Sequence, residues 1–233
     1  MRGATLLLLA LVPAGAGLSA QVGYPPEKSP YRDILTGQGF SLYGGYIGGT
    51  RGVVGVGPAG GPIGGLRYET SVGGPTDMVI GAGYGVLQRY VIDPNADTLT
   101  RRTGLVNQPM ITADVGLNVL LTGRKTWHRL APYIGATIGL AFGGNVAQDS
   151  SGFDFNAKFL VGPQLGIRWS TFDKVAIRFE GRDLFWQLKY PSSFFTTPSR
   201  APTEPSVLNT TTDPSAEWIQ HPTLVLSIGF AFR

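Results

Sequence analysis

From about residue 40 to the end of the chain, apolar and polar residues alternate along one segment after another. The clearest segment is 155–170, where Phe155 to Trp169 take every second position and polar or small residues fill the positions between. A period of two is that of a β-strand whose faces meet different surroundings. The pattern predicts eight strands of about ten residues, the length of a tilted membrane strand. The other segments are 40–48, 65–72, 78–90, 111–121, 133–143, 175–182 and 224–232.

The two faces of these segments differ in composition. One is continuous, apolar and rich in aromatic residues; the other carries mostly Gly, Ser, Thr and Asn with a few opposed charges. An apolar face turned to lipid and small polar residues in a narrow lumen fit a membrane barrel. Hydrocarbon tolerates no unpaired strand edge. The prediction is an all-β fold, a closed antiparallel eight-stranded transmembrane β-barrel. A soluble lipocalin-like carrier, with the apolar face inside, is the alternative.

The connections between predicted strands alternate in length. Outer-membrane barrels have short periplasmic turns and long external loops. With the N-terminus in the periplasm, every long connection falls outside. The longest connection contains a Ser-, Thr- and Pro-rich stretch, 192–216, which is expected to be mobile. The long connections are 49–63, 91–109, 144–154 and 188–218, and the shorter ones are 73–77, 122–130 and 171–174.

The N-terminal residues predict export. Arg2, the apolar run 5–12 and the small residues ending at Ala20 fit a cleaved signal peptide over residues 1–20. The Pro-rich stretch 21–38 is predicted to be an unpaired periplasmic arm, and residues 39–233 the barrel.

Composition removes several classes of function. The chain has no cysteine, only 15% charged residues and a net charge of +4, so it offers neither a thiolate site nor the clustered basic patch of a nucleic-acid-binding protein. The glycine spacing from Gly55 to Gly60 is that of a dinucleotide-binding loop. The sequence Gly61-Pro62-Ile63-Gly64 follows it, which cannot begin the required helix. No cofactor and no metal site are predicted.

Charged residues on the polar faces are predicted to share the lumen. Because each buried charge needs an opposite partner, a structural network is the first interpretation, and an ion path or gate is the second. An eight-stranded barrel is barely wide enough for its own side chains, which argues against a wide pore. The predicted members are Arg67, Glu69, Asp114, Lys158, Arg168, Arg178, Glu180 and Arg182.

The four tryptophans fall near predicted strand ends. Girdles of aromatic residues mark the two membrane interfaces. We expect Trp127 and Trp169 at the periplasmic interface and Trp186 and Trp218 at the outer one. Tyr84 and Tyr133 are further candidates for these girdles.

The run Arg178-Phe179-Glu180-Gly181-Arg182-Asp183 and the alternation from Leu224 to Phe232 resemble the small outer-membrane barrels of the OmpA-like and OmpW-like type. The resemblance spans the mature chain as a pattern, without a specific motif. It implies a bacterial outer-membrane location, lipid as partner, and folding by the barrel-assembly machinery, which in such families reads a last strand ending in an aromatic residue. Here Arg233 follows Phe232, a departure from that pattern.

Three functions follow as hypotheses. The first is a non-enzymatic outer-membrane protein with a structural or surface-interaction role through its external loops, whose partner the sequence does not name. The second is a narrow OmpW-like channel for small or hydrophobic solutes. The third is a lipid A-modifying hydrolase, with His221 as base, Glu217 beside it and Ser192 or Ser193 as nucleophile. The first is preferred, so no catalytic residue is expected.

Overall fold

The computed structural model describes residues 29–34, 37–144, 146–147, 149, 151–172 and 174–232. Eight long strands form a ring, and two three-residue strands pair below it. The predictions on residues 1–20 and 21–28 and on Arg233 lie outside the described residues. The ring strands are β2 (Gln38–Ile47), β3 (Gly61–Gly73), β4 (Thr76–Ile92), β5 (Arg102–Leu120), β7 (Leu130–Gly143), β8 (Ala157–Ser170), β9 (Val175–Lys189) and β10 (Ala216–Phe232). The short strands are β1 (Tyr31–Asp33) and β6 (Lys125–Trp127).

The ring closes because the last strand pairs with the first. Every neighbouring pair is antiparallel, and β10 returns to β2 with Thr223 opposite Ile47 and Phe232 opposite Gln38. This closure confirms the predicted eight-stranded barrel. The main difference is length, since β5, β9 and β10 continue several residues farther outward than the alternation indicated, and β4 continues two.

The alternation of side chains places the apolar face outside. Leu66, Ile138 and Leu226 are each more than half exposed, whereas Arg67 and Thr137 are 1% exposed. The interior is therefore charged and polar at this level, which excludes the lipocalin-like alternative. Apolar side chains on the outer wall are stabilised by contact with lipid instead of water. No helix in the described part of the chain is long and apolar enough to cross a membrane.

Phe155 departs from the predicted outer face. Asn156 adopts a left-handed backbone conformation with φ of 51°, and the strand begins only after it, at Ala157. The alternation is thus broken before β8. Phe155 turns into the barrel mouth, where it is 2% exposed.

The prediction of an unpaired arm is wrong for its described end. Strand β1 pairs with β6, with Arg32 opposite Thr126. The Ile34 amide then donates to the Arg124 carbonyl at 2.9 Å. Ile34 is buried with Leu120, Ala131 and Tyr133, so one apolar side chain anchors the arm inside the periplasmic mouth.

Candidate functional site

The periplasmic half of the lumen is organised around Glu180. Its carboxylate lies 3.0 Å from Arg67 Nη1 and 2.5 Å from Arg182 Nε, and the Tyr133 hydroxyl donates to it at 2.5 Å. Arg182 also reaches Asp114, at 3.4 Å. The glutamate is 1% exposed, and a charge so buried is tolerated only when it is paired and hydrogen-bonded.

A second group of charges lies nearer the periplasm. Arg178 Nη2 lies 2.5 Å from Glu69 Oε2, and Arg168 Nη1 lies 3.8 Å from Asp77. The guanidinium of Arg178 also stands over the ring of Tyr133, 5.3 Å from its centroid. Cation–π contacts of this kind add to the stability of a buried guanidinium.

Together these side chains form what we call the charge network. The structure brings together seven of the eight predicted members. It holds four arginines and four carboxylates, so it is balanced in charge. Its ionic members are Arg67, Arg168, Arg178, Arg182, Glu69, Asp77, Asp114 and Glu180.

The remaining predicted member, Lys158, does not belong to the network. Its ammonium lies 5.8 Å from the ring centroid of Phe155, near the external end of β8. It forms no ion pair with a described carboxylate. The alternation along β8 correctly predicts that Lys158 points inward. It does not predict how far along the barrel axis the side chain lies.

Sequence reasoning missed two kinds of lumen residue. Asp77 was assigned to a turn, although it has the same parity as the inward residues Val79 and Gly81. Tyr43 and Tyr133 also point inward, at 7% and 2% exposure. The prediction that Tyr133 joins an aromatic girdle at a membrane interface is therefore wrong.

Glycines make room for aspartate and tyrosine side chains in the lumen. A Cβ atom on Gly81 would lie 2.9 Å from the carboxylate oxygens of Asp114, and one on Gly83 would meet the Tyr43 hydroxyl. The glycines of the polar face thus leave space for these two side chains inside an eight-stranded lumen.

The external half of the lumen is mainly apolar. Wall residues Leu87, Leu160 and Leu188 are at most 1% exposed, and so are Val56 and Phe194, which come from external loops. This apolar plug also includes Val54, Phe153, Phe155, Trp186, Tyr190, Leu208 and Ile219. The 190–215 loop is therefore anchored by its own apolar side chains, and the mobility expected for residues 192–216 stays a prediction.

Trp186 belongs to this plug and not to the outer interface, so that prediction is wrong. It is 0% exposed, and its ring stacks on His221 with centroids 3.8 Å apart and planes at 15°. The physical reason is parity, since residue 186 shares the inward face of β9 with residues 178, 180 and 182. Trp127, Trp169 and Trp218 are each about half exposed at strand ends.

Polar contacts join the external loops into a cap above the plug. Arg89 pairs with Asp149 at 2.7 Å, with both side chains almost fully buried. Thr98 donates to Glu204 at 2.6 Å, and Arg200 lies 2.8 Å from Asp93. The last two contacts join the 93–101 loop to the 190–215 loop. Arg89 lies on β4, so its ion pair ties the 144–156 loop to the barrel wall, and the Ser193 hydroxyl joins that loop to the 190–215 loop by donating to the Ser151 carbonyl at 3.0 Å.

The 48–60 loop is joined to the barrel wall through Glu217. This carboxylate accepts from the Val53 amide at 2.7 Å and from the Tyr190 hydroxyl. Burial and the hydrogen bond to Glu217 raise the pKa of Tyr190 above its ordinary value, so the phenol remains the donor. The cap thus unites all four external loops.

The residues of the hydrolase hypothesis do not meet. Nδ1 of His221 lies 3.1 Å from the Gly48 carbonyl, Glu217 is occupied by Tyr190, and the Ser193 hydroxyl donates to the Ser151 carbonyl at 3.0 Å. A nucleophile needs a base within hydrogen-bond reach, and no hydroxyl of the described residues is hydrogen-bonded to the His221 imidazole; the Thr223 hydroxyl donates to the His221 backbone carbonyl instead. Nor do the described residues group three His, Asp or Glu side chains for a metal ion. The absence of enzymatic activity and of a cofactor stays a prediction.

A closed eight-stranded ring, a lipid-facing apolar wall and a lumen filled by side chains define the class of small outer-membrane β-barrels, and they place this chain in the bacterial outer membrane. No protein family and no curated protein matches the sequence. The solved structures that share the fold include the following two. Neisserial surface protein A is 12% identical with a TM-score of 0.53, covering 84% of this chain and 98% of its own. Outer membrane protein OprG of Pseudomonas aeruginosa is 11% identical with a TM-score of 0.51, covering 86% and 100%.

Proposed function

We propose that this protein is a non-conducting outer-membrane barrel that presents an ordered external cap for surface interactions. The observation that carries this proposal is the filling of the whole lumen height. The charge network occupies the periplasmic half and the apolar plug the external half, so a hydrated solute has no continuous path.

The cap supports the second half of the proposal. Loops that serve only as connections gain nothing from buried ion pairs, whereas binding surfaces gain from being fixed in advance. The buried pair of Arg89 on β4 with Asp149 fixes the 144–156 loop to the barrel wall. The hydrogen bond from Thr98 to Glu204 joins two loops that are far apart in the sequence.

The test of the closed lumen is conductance in planar lipid bilayers. We expect no stepped conductance from the wild-type protein. A variant in which residues 192–208 are replaced by a short Gly-Ser linker loses Phe194 and Leu208 from the plug and serves as the opened comparison. Stepped conductance of the wild-type protein at low voltage would refute the closed lumen.

The surface role is tested by adhesion. Cells that display the wild-type barrel are compared with cells that display the linker variant on immobilised matrix protein and on immobilised glycosaminoglycan. The proposal expects wild-type-dependent adhesion to at least one of these surfaces. Equal adhesion of the two cell types to both would contradict it.

A second candidate is the narrow channel for hydrophobic solutes, because the wall has one weak place. The ladder between β8 and β9 lacks register pairs between Val161–Phe185 and Gln164–Arg182. Pro163 lies in this gap, and Pro222 faces Asp183 from the other side. Proline cannot donate to a ladder, so a lateral opening toward lipid would form here.

The discriminating measurement is a cysteine pair at this place. Val161→Cys with Phe185→Cys would lock the two strands across the break. Uptake of a hydrophobic fluorophore that is slower into vesicles carrying the oxidised variant than into vesicles carrying the reduced variant would support the channel. If vesicles carrying the reduced variant take up the fluorophore no faster than protein-free vesicles, the channel is rejected.

A further inference from the structure

We propose that the periplasmic mouth of the barrel is a binding site for a small organic anion, a phosphate ester or carboxylate that carries an apolar group. The site is a cavity of about 640 Å³ below the charge network, within the range of about 300–1,000 Å³ of small-molecule sites. It lies at the opposite end of the barrel from the cap, and it does not depend on the surface role.

The walls of this periplasmic cavity come from two sides. The ribbon of β1 and β6 forms one side, with Arg32 and Lys125, and the turn between β8 and β9 forms the other, with Lys174. Arg129 joins the sides, because its Nη1 donates to the Thr171 carbonyl at 2.8 Å. Its guanidinium is thus held in place before any ligand arrives.

The cations of the cavity are not required to neutralise the carboxylates of the lumen. The charge network balances itself with four arginines and four carboxylates. The cavity adds Arg32, Lys125, Arg129 and Lys174, against the single described carboxylate Asp33. None of these four cations pairs with a described carboxylate; Asp173, next to Lys174 in the sequence, lies outside the described residues. A concave surface of one sign concentrates counter-ions.

Arg168 gives the cavity a floor suited to an anion. Its side chain is 12% exposed, and its only carboxylate contact among the described residues, with Asp77, is long at 3.8 Å. Its buried Nε has no hydrogen-bond partner among the described residues. A guanidinium presents several donors in one plane, which suits phosphate and carboxylate oxygens.

The apolar part of the ligand follows from the rest of the lining. Ile34, Phe172, Val175 and Ala176 face the same cavity, so its lining is not a purely ionic surface. An inorganic anion would satisfy the cations and leave these side chains wet, whereas an ester or acid with an aromatic or aliphatic group contacts both.

The test is calorimetric titration of the full-length protein in dodecyl maltoside, an uncharged detergent. The probes are phenyl phosphate, inorganic phosphate and phenyl glucoside. We expect one saturable site for phenyl phosphate, weakened by salt, and at least tenfold weaker binding of the other two. Absence of saturable binding, or equal binding of phenyl phosphate and phenyl glucoside, would overturn the proposal.

Matched variants assign the site. Lys125→Gln with Lys174→Gln removes two exposed cations from the cavity and is expected to weaken phenyl phosphate binding about tenfold, because two charge-assisted contacts are lost. Arg102→Gln with Lys189→Gln removes the same charge at the external end and should leave binding unchanged. Equal loss in both double variants would show nonspecific attraction and sink the assignment. Heat-dependent gel mobility verifies that all variants are folded.

The same chemistry has two sources, a soluble ester and the headgroup of an inner-leaflet lipid. Nanodiscs distinguish them. If phenyl phosphate binds in phosphatidylcholine discs and is displaced when phosphatidylglycerol is added, the ligand is a lipid headgroup. If binding persists in both, the ligand is soluble. Loss of binding in both kinds of disc would refute a site that works in a membrane.

Discussion

Glu180 is the residue whose loss should damage the barrel interior most. Its carboxylate holds Arg67, Arg182 and the Tyr133 hydroxyl, and Glu180→Gln keeps the shape while removing the charge. Breaking a buried ion pair by removing one partner costs about 3–5 kcal/mol, because the other charge stays buried and unpaired. Since about 1.4 kcal/mol is a factor of ten, the unfolding equilibrium should shift by more than a hundredfold.

Urea unfolding in lipid vesicles, followed by tryptophan fluorescence, measures this cost. The control is Glu204→Gln in the cap, where the carboxylate accepts from Thr98 and is partly exposed. Its loss should cost at most about 1 kcal/mol. A second variant, Arg67→Met with Glu180→Leu, should recover part of the loss, because both partners of one buried pair become apolar. A cost under about 1 kcal/mol for Glu180→Gln would refute the coupling of the network.

Three further predictions concern the wall and the plug. Gly45→Ala should block or strongly slow folding, because its Cβ would meet the Leu224 carbonyl, whereas Gly44→Ala, with no atom within 4 Å, should fold like the wild type in a heat-modifiability gel. Trp186→Ala should cost about 3–5 kcal/mol in urea unfolding; Trp218→Ala, at an exposed site, should cost clearly less, and equal costs would contradict the inward orientation. Ile138→Arg should cost about 2–4 kcal/mol in vesicles, if the exposed Ile138 side chain faces the middle of the bilayer; a neutral effect would contradict that placement.

The sequence predicts the barrel because successive side chains of each strand face lipid and lumen in turn, which gives the sequence a period of two. Leu66 against Arg67 and Ile138 against Thr137 each separate cleanly in the sequence and in the structure. The same parity predicts inward positions for Trp186 and Tyr133, although tryptophan and tyrosine are the residue types typical of a membrane interface. Parity, not hydrophobicity, decides the side of a strand.

The apolar plug and the periplasmic ribbon of β1 and β6 could not be predicted from the sequence. Phe153, Phe194 and Leu208 fill the mouth from loops that have no period, and their partners lie far away in the sequence. Strand β1 has three residues, too few to show an alternation. Only the three-dimensional arrangement reveals which loop residues turn inward.

The charge network also constrains the order of events during membrane assembly. Glu180 on β9 pairs with Arg67 on β3, and Arg178 on β9 pairs with Glu69 on β3. The partners therefore come from opposite ends of the chain. A hairpin of β9 and β10 that entered the hydrocarbon alone would carry Arg178 without a partner and would keep only the Glu180–Arg182 pair of this group, at a high energetic cost. The C-terminal hairpin must therefore stay hydrated or sheltered until the N-terminal strands arrive, which makes closure and insertion one concerted event.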